Sequence, residues 1–140
     1  MTNAFVVAKF GGTSVADFDA MNRSAGVVLA DTAVRLVVLS ASAGVTNLLV
    51  ALAEGPEATE RFVKLDAIRK IQYDILERLR NPDVIRDEID RLLENISTLS
   101  EAASLATSTA LTDELVSHGE LMSTLLFVEV LRERCVDAQW

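Results

Sequence analysis

The residues with the clearest chemistry are Lys9-Phe10-Gly11-Gly12-Thr13-Ser14, which follow directly on the apolar run Ala4 to Ala8. A β-branched run ending in a lysine and two glycines describes a strand that delivers a cation and a turn rich in backbone donors. Glycine lets N–H groups approach a phosphate with no Cβ in the way, and a following helix adds the positive end of its dipole. Lysine adds a mobile point charge suited to a transferring phosphoryl group. The stretch points to phosphate chemistry, although two glycines after a strand also suit an ordinary turn. It is not a G-x-x-x-x-G-K-[ST] loop, since the lysine precedes the glycines, nor the G-x-G-x-x-G of a dinucleotide site.

Other reactive groups are few. Ser40 and Thr46 flank a second loop, Ser40 to Thr46, at a strand end and a helix start. Ligands of open α/β sheets sit in such crevices, but a turn hydroxyl for Ser40 and a helix cap for Thr46 are equally natural readings. Glu120 is one of 21 acidic residues and follows Gly119. A glycine inside a helix costs roughly 1 kcal/mol relative to alanine, so Gly119 implies close approach by a neighbour or a ligand. His118, the one histidine, is read as structural, and Thr13 and Ser14 as turn stabilisers. No nucleophile-elbow motif accompanies Ser14 and His118, which sets a Ser/His/Asp hydrolase aside.

The elements that must position these groups begin as a β-α-β unit. Ala4 to Lys9 reads as a buried strand, and Asp17 as the N-cap of a helix from Phe18 to about Ala30. Arg35 to Ser40, centred on Leu36-Val37-Val38-Leu39, reads as a second strand buried on both faces and parallel to the first. Thr46 or Asn47 is expected to cap a short helix reaching Glu54, stopped by Gly55 and Pro56. From about 57 to 134 the pattern is helical. Phe62, Leu65, Ile68, Ile75 and Leu79 mark one apolar stripe, and Ile85, Ile89, Leu92, Ile96 and Leu99 the next. Asn81-Pro82 breaks between them, with Asn81 as N-cap. Glu57 with Arg61, Glu60 with Lys64, and Asp87 with Arg91 sit at i,i+4, each pair worth about 0.2–0.5 kcal/mol. The expectation is an antiparallel helical hairpin, then a helix from about Leu111 to Arg134. A third strand over Cys135–Trp140, with Cys135 as a small buried hydrophobe, completes the reading.

Composition narrows the class. The 140 residues suit one core, and 50% are hydrophobic. A formal net charge of −8 argues against nucleic acid or anionic membrane as the main partner. It also requires an acidic protein that handles anions to concentrate positive potential locally, at Lys9 and a few backbone dipoles. One cysteine excludes an internal disulfide framework and a cysteine-based zinc site. No apolar run approaches the ~20 residues of a membrane span, and no basic n-region is present, so a cytoplasmic location is expected.

Three blocks in order carry a family resemblance: Lys9 to Ser14, Leu39-Ser40-Ala41-Ser42-Ala43-Gly44-Val45-Thr46-Asn47-Leu48-Leu49, and Ser117-His118-Gly119-Glu120-Leu121-Met122-Ser123. Together they resemble the aspartokinases, within the amino acid kinase superfamily. Their wording is most similar to the lysine-sensitive enzymes of enteric-type bacteria, and the resemblance runs from Phe5 to Trp140. It implies an α/β, amino acid kinase-like three-layer fold with a parallel-type central sheet, truncated, plus the long helical segment. Residues 1–140 would be the N-terminal part of the catalytic domain.

The resemblance further implies ATP-dependent phosphorylation of the β-carboxylate of L-aspartate, the first step toward lysine, threonine and methionine. Lys9 would be catalytic, with Phe10, Gly11 and Gly12 beside it at the phosphates. Ser40, Thr46 and Glu120 would hold aspartate, Glu120 receiving its α-ammonium group. ATP would be the co-substrate, with Mg²⁺ bound to it and no protein ligand for the metal here. A homo-oligomer, dimer or higher, is implied through regions outside this stretch. So are the nucleotide-binding loops, a catalytic aspartate, a carboxylate-gripping arginine and the regulatory domains. The chain alone is therefore expected to be inactive. The alternatives are another superfamily member, such as a glutamate or acetylglutamate kinase, and a non-catalytic helical interaction module.

Overall fold

Parallel strands present the glycine loop and the second loop at one end of the molecule. In the computed structural model, which describes residues 4–140, β1 (Val6–Phe10) pairs in parallel with β2 (Val34–Leu39). Residues 1–3 of the expected domain lie outside the described residues. The register runs Val7↔Leu36, Ala8↔Val37, Lys9↔Val38 and Phe10↔Leu39. A 3₁₀ turn (Gly12–Val15) and α1 (Phe18–Ala30) make the crossover. Asp17 caps α1 as its residue type predicts, its carboxylate accepting from the Ala20 N–H at 2.8 Å.

Alternation along the strands decides which side chains meet the helices. Phe10, Val37 and Leu39 pack into the core, and the Phe10 ring lies 6.2 Å from that of Phe127. Val7, Lys9, Leu36 and Val38 take the other face and are exposed. Burial of β2 on both faces, expected from its apolar run, is not observed: Leu36 is 54% exposed and Val38 41%. Among the described residues, helices cover only one face of the strand pair.

Four more helices follow: α2 (Val45–Ala53), α3 (Ala58–Leu76), α4 (Asp83–Leu105) and α5 (Thr109–Glu133). Gly55, at φ +76°, ends the turn after α2. The α3–α4 pair is an antiparallel hairpin, because Tyr73 pairs with Asp90 and Glu77 with Arg86, stepping in opposite directions. Burial and then Asp90 push the Tyr73 phenol above its ordinary pKa. The expected stripe residues Ile68, Ile75, Ile89, Leu92 and Ile96 are all buried, while Phe62 stays exposed. Glu60 pairs with Lys64 at 3.3 Å as spaced, whereas Arg91 turns to Glu88.

Three local expectations are corrected. Asn81 does not cap α4. Instead the Arg80 and Asn81 N–H groups donate to the two oxygens of the Glu133 carboxylate, 3.0 Å each, tying the hairpin turn to the end of α5. The helix expected from Leu111 starts two residues earlier, because Ser108 accepts from the Leu111 N–H at 3.1 Å. Cys135–Trp140 forms no strand. Cys135 is exposed at φ +62°, in a turn that directs the tail back along α5. There Arg132 Nε donates to the Ala138 carbonyl at 2.9 Å and Trp140 Nε1 to Thr124 Oγ1 at 2.9 Å, in place of a ladder with β2.

Candidate functional site

The two loops are joined by their own backbone. The Ser40 N–H donates to the Phe10 carbonyl at 3.1 Å, and the Ala43 N–H to the Gly12 carbonyl at 3.2 Å. Gly12 is required by this closeness. A Cβ there would lie 2.9 Å from the Ala41 carbonyl oxygen, closer than side chains approach. Between the loops lies a shallow depression of about 320 Å³ lined by Gly12, Thr13, Ser40 to Gly44, Thr46 and Asn47. Larger hollows of about 610 Å³ beside β2 and the tail and about 570 Å³ between α3 and α4 have mainly apolar linings. The small one lies at the carboxyl ends of the strands, where ligands of open α/β sheets bind.

Its floor is the start of α2. The expected cap by Thr46 or Asn47 is not formed: the N-cap is Gly44, at φ +88°, with no side-chain cap. That left-handed backbone is one glycine tolerates without strain. Thr46 instead occupies the first turn of α2, exposed, with Asn47 beside it at the depression. The first N–H groups of a helix lack intrahelical partners and carry partial positive charge. The Val45 N–H donates to the Ser42 carbonyl at 3.0 Å, and those of Thr46 and Asn47, left without a side-chain cap, present an anion-binding edge to the depression.

The third block closes on this loop from α5. Gly119 is buried, and a Cβ on it would stand 2.8 Å from Ala41 Cβ, 3.1 Å from Leu49 Cδ1 and 3.3 Å from Val45 Cγ1. The mid-helix glycine therefore answers the close approach of the second loop and α2. Glu120, next in sequence, is exposed and does not line the depression. His118 is buried, its Nδ1 2.8 Å from the Glu114 carbonyl oxygen, which fits a structural role.

The predicted residues thus separate. Gly12, Ser40 and Thr46 meet at the depression. Phe10 contributes its carbonyl to the loop junction while its ring fills the core. Gly11 is exposed beside Gly12, and a Cβ on it would meet nothing within 4 Å. Lys9 is exposed on the uncovered face of β1, paired in register with Val38. Sequence reasoning missed Ser123, fully buried, whose Oγ donates to the Ser40 carbonyl at 2.7 Å. Its spacing could have revealed it, since Ser123 lies four residues after Gly119 and so on the same helical face.

Comparison with known proteins agrees with this geometry. The family model described as the amino acid kinase family matches residues 4–140. The chain is 81% identical to lysine-sensitive aspartokinase 3 of Escherichia coli K12 over 96% of its own length and 30% of that protein's. It superposes on the crystal structure of E. coli aspartokinase III in complex with lysine and aspartate (T-state) with a TM-score of 0.97 and 78% identity. That match covers 99% of this chain and 31% of the other. The R-state structure of the same enzyme, in complex with aspartate and ADP, matches with a TM-score of 0.96 and 80% identity, over 97% and 30% of the two chains. The chain spans about 30% of the length of these relatives. With loops, strand pair and α5 arranged alike, and a family match from residue 4 to residue 140, the chain belongs to the amino acid kinase family.

Proposed function

We propose that the protein carrying this chain is an aspartokinase: it transfers the γ-phosphoryl group of ATP to the β-carboxylate of L-aspartate, giving 4-phospho-L-aspartate. The observation that carries the reading is the junction of the loops. Ser40, Thr46 and the uncapped start of α2 share one depression with Gly12 of the glycine loop, so a carboxylate and a phosphoryl group can be brought side by side. The relatives bound to aspartate and ADP support the substrates, by analogy, through their likeness over this region.

In this proposal the attacking carboxylate oxygen needs no general base, because it is already anionic. The work of the protein is positioning and charge stabilisation. Ser40 and Thr46 hydroxyls hold aspartate, and Glu120 receives its α-ammonium group as a charge-assisted acceptor. An acylated amino group offers no such charge, so N-acetylated acids bind poorly. Lys9 and the N–H groups of Gly11 and Gly12 stabilise negative charge on the transferring group. Mg²⁺ arrives as part of the nucleotide substrate. Among the described residues no group of three or more His, Cys, Asp or Glu side chains is arranged to hold a metal ion. Among them, too, no helix is long and apolar enough to cross a membrane.

The test separates the two halves of the site in the full reading frame. Lys9→Ala should lower turnover by about 10²–10³-fold, roughly 3–4 kcal/mol as for loss of one preorganised donor, with little change in the aspartate requirement. Glu120→Ala should raise the aspartate KM by about tenfold or more, the scale of a hydrogen bond to a charged group. Normal turnover in the first variant removes Lys9 from the reaction. An unchanged KM in the second removes Glu120 from the aspartate pocket.

A further inference from the structure

Ser123 is joined to the site by a bond that spans most of the chain. Its hydroxyl is fully buried and has one proton, which it donates to the Ser40 carbonyl at 2.7 Å. The Glu120 carbonyl, at 3.2 Å from the same Oγ, is the more distant acceptor. The Ser40 peptide is thereby held at both ends: its N–H is bonded to the Phe10 carbonyl of the glycine loop, and its C=O to α5. Ser123 also lies one turn after Glu120 on α5. One side chain therefore touches the backbone of both residues read as aspartate ligands. The neighbouring contact, Gly119 against Ala41, allows α5 to come near enough for the bond to form.

We infer that Ser123 is a positioning residue for the acceptor substrate. Its hydroxyl sets the separation between the Ser40 hydroxyl and the Glu120 carboxylate. Aspartate must span both groups, so a shift of the loop along α5 weakens its binding. ATP binds on the Lys9 and Gly11–Gly12 side, which the bond reaches indirectly, through the Phe10 carbonyl and the Ala43-to-Gly12 bond. The inference rests on the aspartate-site reading given above.

The experiment is steady-state kinetics on the full reading frame carrying Ser123→Ala, with Glu120→Ala in parallel and a thermal melt of each protein. Misplacement by a fraction of an ångström at a substrate site is expected to raise the aspartate KM about tenfold. The ATP KM should change less than about twofold, while the melting midpoint falls by the modest amount that loss of one buried hydrogen bond entails. A bond that merely stabilises the fold would lower the midpoint likewise but leave both KM values in their original ratio. That result, or an unchanged aspartate KM beside a raised one in Glu120→Ala, overturns the positioning role alone. Unchanged aspartate KM in both variants overturns the aspartate site and the inference with it.

Discussion

Replacing Gly119 by alanine sets two opposed effects against each other, and the structure decides between them. In an open helix the change would gain up to about 1 kcal/mol, because glycine is the poorer helix former. Here the new Cβ would stand 2.8 Å from Ala41 Cβ, 3.1 Å from Leu49 Cδ1 and 3.3 Å from Val45 Cγ1. Carbon atoms pack at about 3.5 Å or more, so the second loop must recede by about 0.7 Å. Leu49 can yield by rotating. Ala41 has no rotamer to change, and its loop is tied to Gly12 and to Ser123. Overpacking of this kind costs about 1–3 kcal/mol, leaving a net loss of up to about 2 kcal/mol once helix propensity is credited. Chemical denaturation of the parent, Gly119→Ala, Ala41→Gly and the double variant closes a thermodynamic cycle. The double variant should recover most of the loss, since the closest contact is gone. The aspartate KM of Gly119→Ala should rise with the displaced Ser40. A variant more stable than the parent, or no coupling with Ala41→Gly, would refute the reasoning.

Two further substitutions probe the scaffold. Gln72 is fully buried in α3 and neither of its amide atoms has a hydrogen-bond partner. Since an unsatisfied buried polar group costs about 1–3 kcal/mol, Gln72→Met should raise the denaturation midpoint by about 1 kcal/mol of stability, and a loss would contradict this. Asp17→Ala removes the cap bonded to the Ala20 N–H and should cost about 1 kcal/mol, whereas Asp17→Asn should retain most of the stability. Equal losses in the two Asp17 variants would show that capping is not what Asp17 contributes.

The fold was most legible where local chemistry and tertiary packing agree. Asp17, the apolar stripes of α3 and α4, and Gly119 all behave as their types and spacing suggest. Legibility failed where a partner distant in sequence takes over a local role. Asn81 has a capping side chain, but the Glu133 carboxylate, more than fifty residues away, takes the turn's N–H groups. Cys135–Trp140 has strand composition, yet the turn at Cys135 and the Arg132 and Trp140 bonds set its path. The apolar run of β2 suggested two covered faces, while helices cover one.

The site divided in the same way. The glycine loop and the Ser40–Thr46 loop were visible as motifs, and their junction follows from the parallel pairing of the strands that carry them. Gly44 was passed over as a cap because Thr46 and Asn47 have the better capping side chains. The close pairing of the loops selects a left-handed glycine there instead, and so leaves the start of α2 open. Ser123 shares the helical face of Gly119, but its partner is a backbone carbonyl group, which no side-chain pattern names.

The most direct test of the central claim is ATP-dependent acyl-phosphate formation by the full reading frame, trapped as the hydroxamate with hydroxylamine. Aspartate, glutamate and N-acetylglutamate are offered in parallel. The account predicts product with aspartate and none above background with the other two acids. Product with glutamate or N-acetylglutamate in place of aspartate would contradict the assignment of Ser40, Thr46 and Glu120. No product with any acid, from folded protein, would contradict the kinase reading itself.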